Sequence, residues 1–260
     1  MFSLQDFIFK IQGYDINKAY LYLNKIKEMS AKDFSDWKKK KRWEIAKYHF
    51  NKNEYYRSKI SGSFPKKWDS LPIIKKSDFQ IDLAKILSAP FNKSNVYIAN
   101  TSGSSGHPFY FAKDKECHSL TWAYMRWRYG EIGLSSNDLQ ARFCGIPLDF
   151  LPKMKENMKD FFLNRIRFPV YDFSNENLFK FLDKFKKNKI SYIYGYTNSI
   201  VLFCRFLIKN KINLIKICPS IKLVIVTSEV CTEEDRKIIT KAINVPIYDE
   251  YGASEFSYIG

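Results

Sequence analysis

The chain has 260 residues, of which 45% are hydrophobic and 17% aromatic, so it can bury a substantial core and general disorder is not expected. No apolar run approaches the roughly 20 residues of a bilayer-spanning helix, and the first residues lack the basic flank and cleavage site of a signal peptide. The net charge of +16 is compatible with nucleic acid, an anionic membrane surface or anionic ligands as partners.

The cysteines predict free thiols rather than disulfides or a metal site. Their number is odd, no CxxC pair occurs, and the chain has only three histidines, so a zinc site is not expected. Free thiols are typical of the reducing cytoplasm, which is the predicted location. The five residues are Cys117, Cys144, Cys204, Cys218 and Cys231.

The first 60 or so residues read as helical, with apolar residues at helical spacing from Ile16 to Ile26. The lysine run Lys38–Arg42 is interpreted as a solvated helix face rather than a nucleic-acid site, because no recognised binding module accompanies it. The stretch Ser61–Pro72 is rich in Gly, Ser and Pro and marks a boundary. We predict a basic helical segment at 1–62 and an α/β domain at 63–260.

Short apolar strands then alternate with amphipathic helices, which predicts an α/β fold with a mainly parallel sheet. Thr232 is the predicted N-cap of the last helix, followed by three acidic residues in the first turn. The predicted strands are Val96–Ala99, Leu139–Gly145, Ile190–Gly195, Lys222–Thr227 and Val245–Gly252; the predicted helices are Glu116–Tyr129, Asn177–Lys187, Ser199–Lys209 and the one after Thr232.

Three polar loops follow predicted strands, where parallel sheets bind ligands. The first, TSGSSGHP, offers flexible glycines, hydroxyls and backbone amides to a phosphate. By itself it is more typical of an ordinary Ser/Gly loop, and it lacks the lysine that a Walker-type phosphate loop requires. The candidate phosphate-binding residues are Thr101, Ser102, Gly103, Ser104, Ser105 and Gly106.

The other two loops are TSEV, after Leu223–Val226, and DEYGASE, after Val245–Tyr248. In the latter, Tyr251 can stack on a base, Gly252 permits a tight exit from the strand, Ser254 can contact phosphate and Glu255 can hold Mg²⁺. An acidic turn after a strand is more often merely solvated.

Taken together, the loops resemble the adenylate-forming superfamily, and most of all the phenylacetate–CoA ligase family and its relatives in capsular polysaccharide gene clusters. The resemblance runs from about Tyr55 to the end, with matching order and spacing. It is carried by LPIIKKSDF, TSGSSGHP, IYGYTNSI, TSEVCTEEDR and YDEYGASE.

The resemblance implies that an acid reacts with ATP to give an acyl-adenylate and pyrophosphate, after which a thiol, often coenzyme A, takes the acyl group. Thr101 to Gly106 would wrap the β- and γ-phosphates, and Ser228, Glu229 and Tyr251 would border the adenine. Ser254 would touch the α-phosphate and Glu255 would coordinate Mg²⁺. The acyl pocket would lie near Gly145–Phe150 and Tyr194–Tyr196.

The sequence also departs from the family pattern. His107 stands where the family usually has lysine, which removes a permanent positive charge near the phosphates, and Ser105 and Ser254 replace threonines. The chain ends five residues after Glu255, whereas the family continues into a ribose-binding aspartate and a C-terminal domain with a catalytic lysine. This ending predicts that the chain is an incomplete N-terminal portion: either a fragment or truncated product, or a half that another polypeptide completes. Association as a homodimer or with a separate C-terminal half is then one expectation.

The leading functional hypothesis is therefore an ATP-dependent, carboxylate-activating ligase, or the N-terminal portion of one, acting on a small carboxylic acid. The alternative is a truncated, inactive relative that binds nucleotide or supports assembly. A nucleic-acid binder is disfavoured, because the loop series has no reason to occur in one. Neither the acid nor its acceptor can be derived from the sequence.

Overall fold

The computed structural model describes residues 4–60, 62–101, 108–145 and 150–260. The helices are α1 (Leu4–Ile11), α2 (Ile16–Lys27), α3 (Ala31–Lys52), α4 (Glu54–Ser58), α5 (Leu83–Ile86), α6 (Lys115–Glu131), α7 (Phe150–Phe162), α8 (Asn175–Lys187), α9 (Thr197–Lys209), α10 (Leu214–Ile217) and α11 (Glu233–Ile243). The strands are β1 (Tyr97–Asn100), β2 (Tyr110–Lys113), β3 (Gln140–Phe143), β4 (Arg165–Phe168), β5 (Tyr192–Tyr196), β6 (Leu223–Thr227), β7 (Ile247–Glu250), β8 (Gly252–Ala253) and β9 (Ser257–Tyr258). Short 3₁₀ helices cover Trp68–Ser70 and Lys76–Phe79.

The chain folds as two compact units. The first consists mainly of Arg128–Ala253, and the second of Ile8–Trp127 with the short segment Ser254–Ser257. The domain boundary predicted at residues 62 and 63 stays a prediction.

The first unit is built on a five-stranded, entirely parallel sheet with strand order β4-β3-β5-β6-β7. This confirms the predicted α/β fold. The sheet forms because its strands are rich in aromatic and β-branched residues, and β6, LVIVT, is the most uniformly apolar. In the register of β3 and β5, Phe143 lies opposite Gly195, where an added Cβ would clash with the Phe143 carbonyl oxygen.

One face of this sheet carries the hydrophobic core. Alternate residues of β3 to β6 pack there against α8, α9 and α11, and the rings of Phe143 and Phe168 stack with centroids 4.7 Å apart. Phe143, Phe168 and Phe203 are fully buried. Complete burial of each such side chain contributes on the order of 2 kcal/mol.

The opposite face of the sheet is polar near β3, β4 and β5. The register aligns Gln140 with Arg165 and with Tyr192, and aligns Arg142 with Tyr194. The period of two along a strand places these side chains together, opposite the core. α7 connects β3 to β4, and none of its described side chains belongs to the core cluster.

The second unit contains helices of the basic N-terminal segment and the antiparallel pair of β1 and β2. Asp15 and Ser30 cap α2 and α3, accepting hydrogen bonds from the backbone of Lys18 (2.9 Å) and Asp33 (3.1 Å). Its buried hydrophobic residues are Phe9, Ile16, Ala19, Ala46, Ile60, Leu83, Phe111 and Ala123.

The structure corrects the position of the first loop. We expected TSGSSGHP at the carboxyl end of a strand in the parallel sheet, but it connects the antiparallel strands β1 and β2. β2, YFAK, was not predicted, because it is short and contains a lysine, a residue that is usually exposed. In the structure Phe111 and Lys113 are both buried.

Candidate functional site

The base of the TSGSSGHP loop is closed by hydrogen bonds between Thr101 and Phe109. The Thr101 amide donates to the Phe109 carbonyl (3.0 Å), and the Phe109 amide donates to Thr101 Oγ1 (3.1 Å). The predicted phosphate ligands Ser102, Gly103, Ser104, Ser105 and Gly106 lie outside the described residues, as does His107.

A lysine that the sequence analysis did not single out lies beside this loop. Lys76 Nζ is 3.4 Å from Thr101 Oγ1 and 5.9 Å from the centre of the Phe109 ring. Lys76 opens the short helix within LPIIKKSDF, so this segment brings a cation to the first residue of the predicted phosphate loop. In the sequence, Lys76 could have been noticed from its position in LPIIKKSDF, one of the motifs that carry the family resemblance.

Ser254 and Glu255 belong to the second unit, as Thr101 does. Ser254 is exposed and Glu255 is half-buried. Nearby, the Nζ of the buried Lys113 donates a hydrogen bond to Ser257 Oγ. Burial lowers the pKa of the Lys113 ammonium, while Cys117 and the Glu255 carboxylate act in the opposite direction. A lysine therefore lies within electrostatic reach of the predicted metal ligand.

In the first unit, the predicted adenine-binding residues follow neighbouring strands. Ser228 follows β6 and Tyr251 follows β7, and the Thr227 hydroxyl joins the two strand ends by donating to the Glu250 carbonyl (3.0 Å). Ser228 has a positive φ of 70°, which is uncommon for a residue other than glycine and is typical of a tight turn. The structure thus brings Ser228 and Tyr251 to the same edge of the sheet.

The side chain of Glu229 is used at a helix terminus. Its carboxylate accepts a hydrogen bond from the Asn198 amide in the first turn of α9 (2.8 Å), and its backbone carbonyl accepts one from the Thr197 hydroxyl (3.1 Å). A carboxylate at this position also complements the helix dipole. These contacts hold the TSE turn against α9, and the adenine contact of Glu229 stays a prediction.

Tyr251 and Gly252 are both exposed, Tyr251 at 71%. The Tyr251 carbonyl accepts hydrogen bonds from the amides of Ile259 (2.9 Å) and Gly260 (3.1 Å). The backbone of Tyr251 is therefore fixed while its ring remains available to a ligand.

The residue before Tyr251 takes part in a partly buried polar network that sequence reasoning missed. The Glu250 carboxylate accepts hydrogen bonds from the hydroxyls of Tyr129 (2.7 Å) and Tyr194 (2.8 Å). Burial and the neighbouring Glu250 charge raise the pKa of both tyrosines, so they remain donors. The alternating tyrosines of β5 could have indicated a polar face of the sheet. Their partners could not be predicted, because Tyr129 and Glu250 lie far from them in sequence.

Two arginines extend this network across the sheet. The Arg142 guanidinium lies 4.9 Å from the centre of the Tyr194 ring, and its Nη1 donates to Gln140 Oε1 (3.2 Å). Burial and the nearby Arg142 charge lower the pKa of Arg165 to about 10. The sheet face is therefore electropositive near the residues predicted to line the acyl pocket, namely Gly145 and Tyr194 to Tyr196. Residues 146–149 of that prediction lie outside the described residues.

In the part of the chain that the structure describes, no three His, Cys, Asp or Glu side chains cluster as ligands of a metal ion. Among the described helices, none combines the length and apolar character that crossing a bilayer requires.

The fold is similar to that of solved acyl-CoA ligases. An open conformation of 2-hydroxyisobutyryl-CoA ligase in complex with 2-HIB-AMP and CoA is 16% identical, with a TM-score of 0.65 over 88% of this chain and 56% of that one. The same ligase in its thioesterification state gives 18% identity and a TM-score of 0.65, over 88% and 51% of the two chains. The chain thus has the α/β fold of these ligases.

Among curated proteins, Protein CapK of Staphylococcus aureus is 27% identical over 196 residues, which is 72% of this chain and 41% of CapK. No protein-family model matches the sequence. The chain therefore spans about half the length, or less, of the relatives it matches.

Proposed function

We propose that this chain provides the nucleotide- and acid-binding part of an ATP-dependent ligase that activates a small carboxylic acid as an acyl-adenylate. The observation that carries the proposal is the loop arrangement. TSE and DEYGASE leave neighbouring parallel strands at one edge of the sheet, in a fold similar to ligases crystallised with an acyl-AMP and CoA. The resemblance to phenylacetate–CoA ligases and their relatives in capsular polysaccharide clusters supports coenzyme A as acceptor and a capsular role.

The proposed reaction is an in-line displacement at phosphorus. The acid's carboxylate oxygen attacks the α-phosphate of ATP, a new P–O bond forms, and pyrophosphate leaves. The acyl group then passes to the acceptor thiol and AMP is released. Thr101 and the loop that follows it, with Lys76 beside them, would hold the polyphosphate and offset its charge, while Ser254 would contact the α-phosphate.

The residues present also fit Mg²⁺. Proteins commonly hold this ion through one or two carboxylates together with nucleotide phosphates, so a single side chain such as Glu255 is sufficient. Glu255 is partly accessible, and its carboxylate is within electrostatic reach of Lys113. When bound, the ion would neutralise charge on the polyphosphate.

Thermal unfolding of the 260-residue chain with and without Mg·ATP tests the nucleotide site. Nucleotide at ten times its dissociation constant stabilises the folded state by about 1.4 kcal/mol, which corresponds to a Tm increase of roughly 3–6 °C for a protein of this size. Glu255→Ala should abolish the Mg²⁺-dependent part, whereas the matched control Glu28→Ala, at the exposed end of α2, should retain it. No shift at millimolar Mg·ATP would contradict the proposal.

A second variant pair tests the lysine beside the loop. Lys76→Met should reduce the Tm increase caused by ATP, because Lys76 lies near Thr101. Lys75→Met, which removes the same charge from the adjacent residue, should have little effect. Equal loss in the two variants would show that general positive charge, and not Lys76, is responsible.

Acid-dependent release of pyrophosphate separates the proposed ligase from the alternative, an inactive nucleotide-binding relative. A Tm increase with Mg·ATP but no pyrophosphate release with any of a panel of small aliphatic and aryl acids would favour the alternative. Pyrophosphate release that depends on one acid would identify the substrate class.

A further inference from the structure

α7 exposes an apolar stripe to solvent. Leu151, Met154, Met158 and Phe161 follow one another at intervals of three, four and three residues, the spacing that places side chains on one helix face. Their exposed fractions are 68%, 48%, 54% and 74%. Large apolar residues that are this exposed and this regularly spaced commonly mark an interaction surface.

The polar side of α7 faces its own protein instead. Arg167 on β4 binds Asp160 through Nε–Oδ2 (2.6 Å) and Nη2–Oδ1 (2.9 Å), and its Nη2 also lies 3.2 Å from Glu156 Oε2. The Asp160 side chain is 8% exposed and that of Arg167 is 11% exposed. α7 is therefore held to the sheet by an ion-pair network, and none of its described side chains belongs to the core cluster.

This orientation reverses the usual one. A surface helix ordinarily turns its apolar stripe toward the core and its charged residues toward water. Here Glu156 and Asp160 lie about half a turn from the centre of the stripe, since successive residues rotate by about 100° around the axis. The sequence of α7 contains no other acidic residue, so both of its carboxylates are engaged with Arg167.

Lysines border the apolar stripe. Lys153, Lys155 and Lys159 are all exposed, and Lys159 bonds Glu156 from the outer side (2.6 Å). A face of Leu, Met and Phe edged by lysines is the composition of helices that lie in a membrane interface, where the apolar residues enter the headgroup boundary and the lysines meet anionic headgroups.

The charge of the chain argues for an anionic surface over a second copy. Two copies would bring net charges of +16 together, and antiparallel α7 helices would add further lysines to that contact. A single helix of 13 residues, about 20 Å long, can lie flat on a bilayer surface. We propose that α7 is a membrane-surface helix, which docks the protein on anionic lipid bilayers through the stripe of Leu151, Met154, Met158 and Phe161.

The test is sedimentation of the 260-residue chain with vesicles of phosphatidylcholine alone or with 30% phosphatidylserine. The chain should partition onto the anionic vesicles. Met158→Gln combined with Phe161→Ser keeps the charge and should reduce partitioning at least tenfold. The matched control is Val230→Gln, which alters a residue of the same unit that is 84% exposed and lies outside α7. It should bind as the unaltered chain does.

Lysine removal tests the headgroup contact separately. Lys153→Gln with Lys155→Gln should weaken partitioning roughly 25-fold, since each lysine near an anionic surface contributes about a factor of five.

Equal binding by the Met158/Phe161 and Val230 variants would overturn the proposal, because general electrostatics would then explain sedimentation. Absence of binding to anionic vesicles would also overturn it. So would a lipid-free dimer that the Met158/Phe161 variant dissociates, because a second copy would then cover the stripe.

Discussion

A buried histidine of α6 should make the protein less stable as the pH falls from 6.5 toward 4. His118 is 9% exposed, and its ring stacks on Tyr97 with centroids 4.0 Å apart and lies 4.6 Å from the ring of Tyr14. Its Nε2 accepts a hydrogen bond from Trp122 Nε1 (3.1 Å), so this nitrogen is unprotonated in the folded protein. Burial, and secondarily the Lys113 charge, lower the pKa of His118 to about 4.

Proton linkage determines whether the free energy of unfolding rises or falls with pH. Between pH 6.5 and pH 4, the unfolded chain binds a proton at His118 that the folded chain does not, so unfolding becomes more favourable as the pH falls. The stabilisation is fully present above pH 6.5, is lost progressively toward pH 4, and changes no further below that pH. The difference between the unfolded and folded pKa values of His118 corresponds to a loss of about 2 kcal/mol in the free energy of unfolding at pH 5. Solvent screening reduces this loss to about 1–2 kcal/mol.

The assay is urea unfolding of the unaltered chain and of His118→Phe between pH 4.5 and pH 7.5. The variant loses the Trp122 hydrogen bond at every pH, but its free energy of unfolding should fall by about 1–2 kcal/mol less between pH 7 and pH 5. Carboxylates and His49 titrate in both proteins and cancel in the comparison. Parallel pH profiles, or an imidazole NMR titration of His118 near pH 6.5, would refute the reasoning.

Three further stability predictions rest on single contacts and can be checked by the same urea assay at pH 7. Asp160→Ala leaves the largely buried guanidinium of Arg167 without its bidentate partner and should cost about 2–4 kcal/mol, whereas Glu176→Ala, which removes an exposed ion pair, should cost less than about 0.5 kcal/mol. Gly195→Ala should destabilise by about 3 kcal/mol or prevent folding, because its Cβ would overlap the carbonyl of the neighbouring strand. Thr232→Ala should cost about 1 kcal/mol through loss of the α11 cap, and a cost below about 0.3 kcal/mol would contradict the capping role.

The parallel sheet and its helices could be predicted because their signals are local. β6 is a continuous apolar run, and α8 carries Leu178, Leu182 and Phe185 at helical spacing. Thr232 does cap α11, accepting from the Asp235 amide (3.2 Å) while Asp235 accepts from the Thr232 amide. Each of these features is decided by residues within one turn or one strand, so periodicity and capping preference suffice.

α7 and β4 were not predicted from the sequence, because ion pairs turn charged residues of both elements inward. The sequence of β4, RIRF, reads as charged, but Arg167 turns toward Asp160 and Glu156, which neutralise it. The same ion pairs orient α7 with its apolar residues outward, which contradicts the usual sense of an amphipathic helix. Sequence patterns assume that charge lies outside and apolar groups lie inside, so an element held by ion pairs is misread.

The loops of the candidate site could be proposed from the sequence, but the contacts that anchor them could not. The residues that precede them form the fixed contacts: Thr227 bonds the Glu250 backbone, and the Glu250 carboxylate binds Tyr129 and Tyr194. These partners lie 23, 121 and 56 residues apart, so no local pattern could reveal them.

This anchoring has a consequence for the proposed nucleotide site. The Thr227 bond joins the ends of β6 and β7, and the Glu250 carboxylate ties β7 to Tyr194 of β5 and Tyr129 of α6. The side chain of Tyr251, one residue further, is 71% exposed. A rigid strand end that carries an accessible side chain restricts where that side chain can go, and so reduces the conformational entropy lost when a ligand binds. Tyr129 and Tyr194, both partly buried, are therefore expected to control nucleotide affinity through the position of Tyr251, although neither of them need touch the nucleotide.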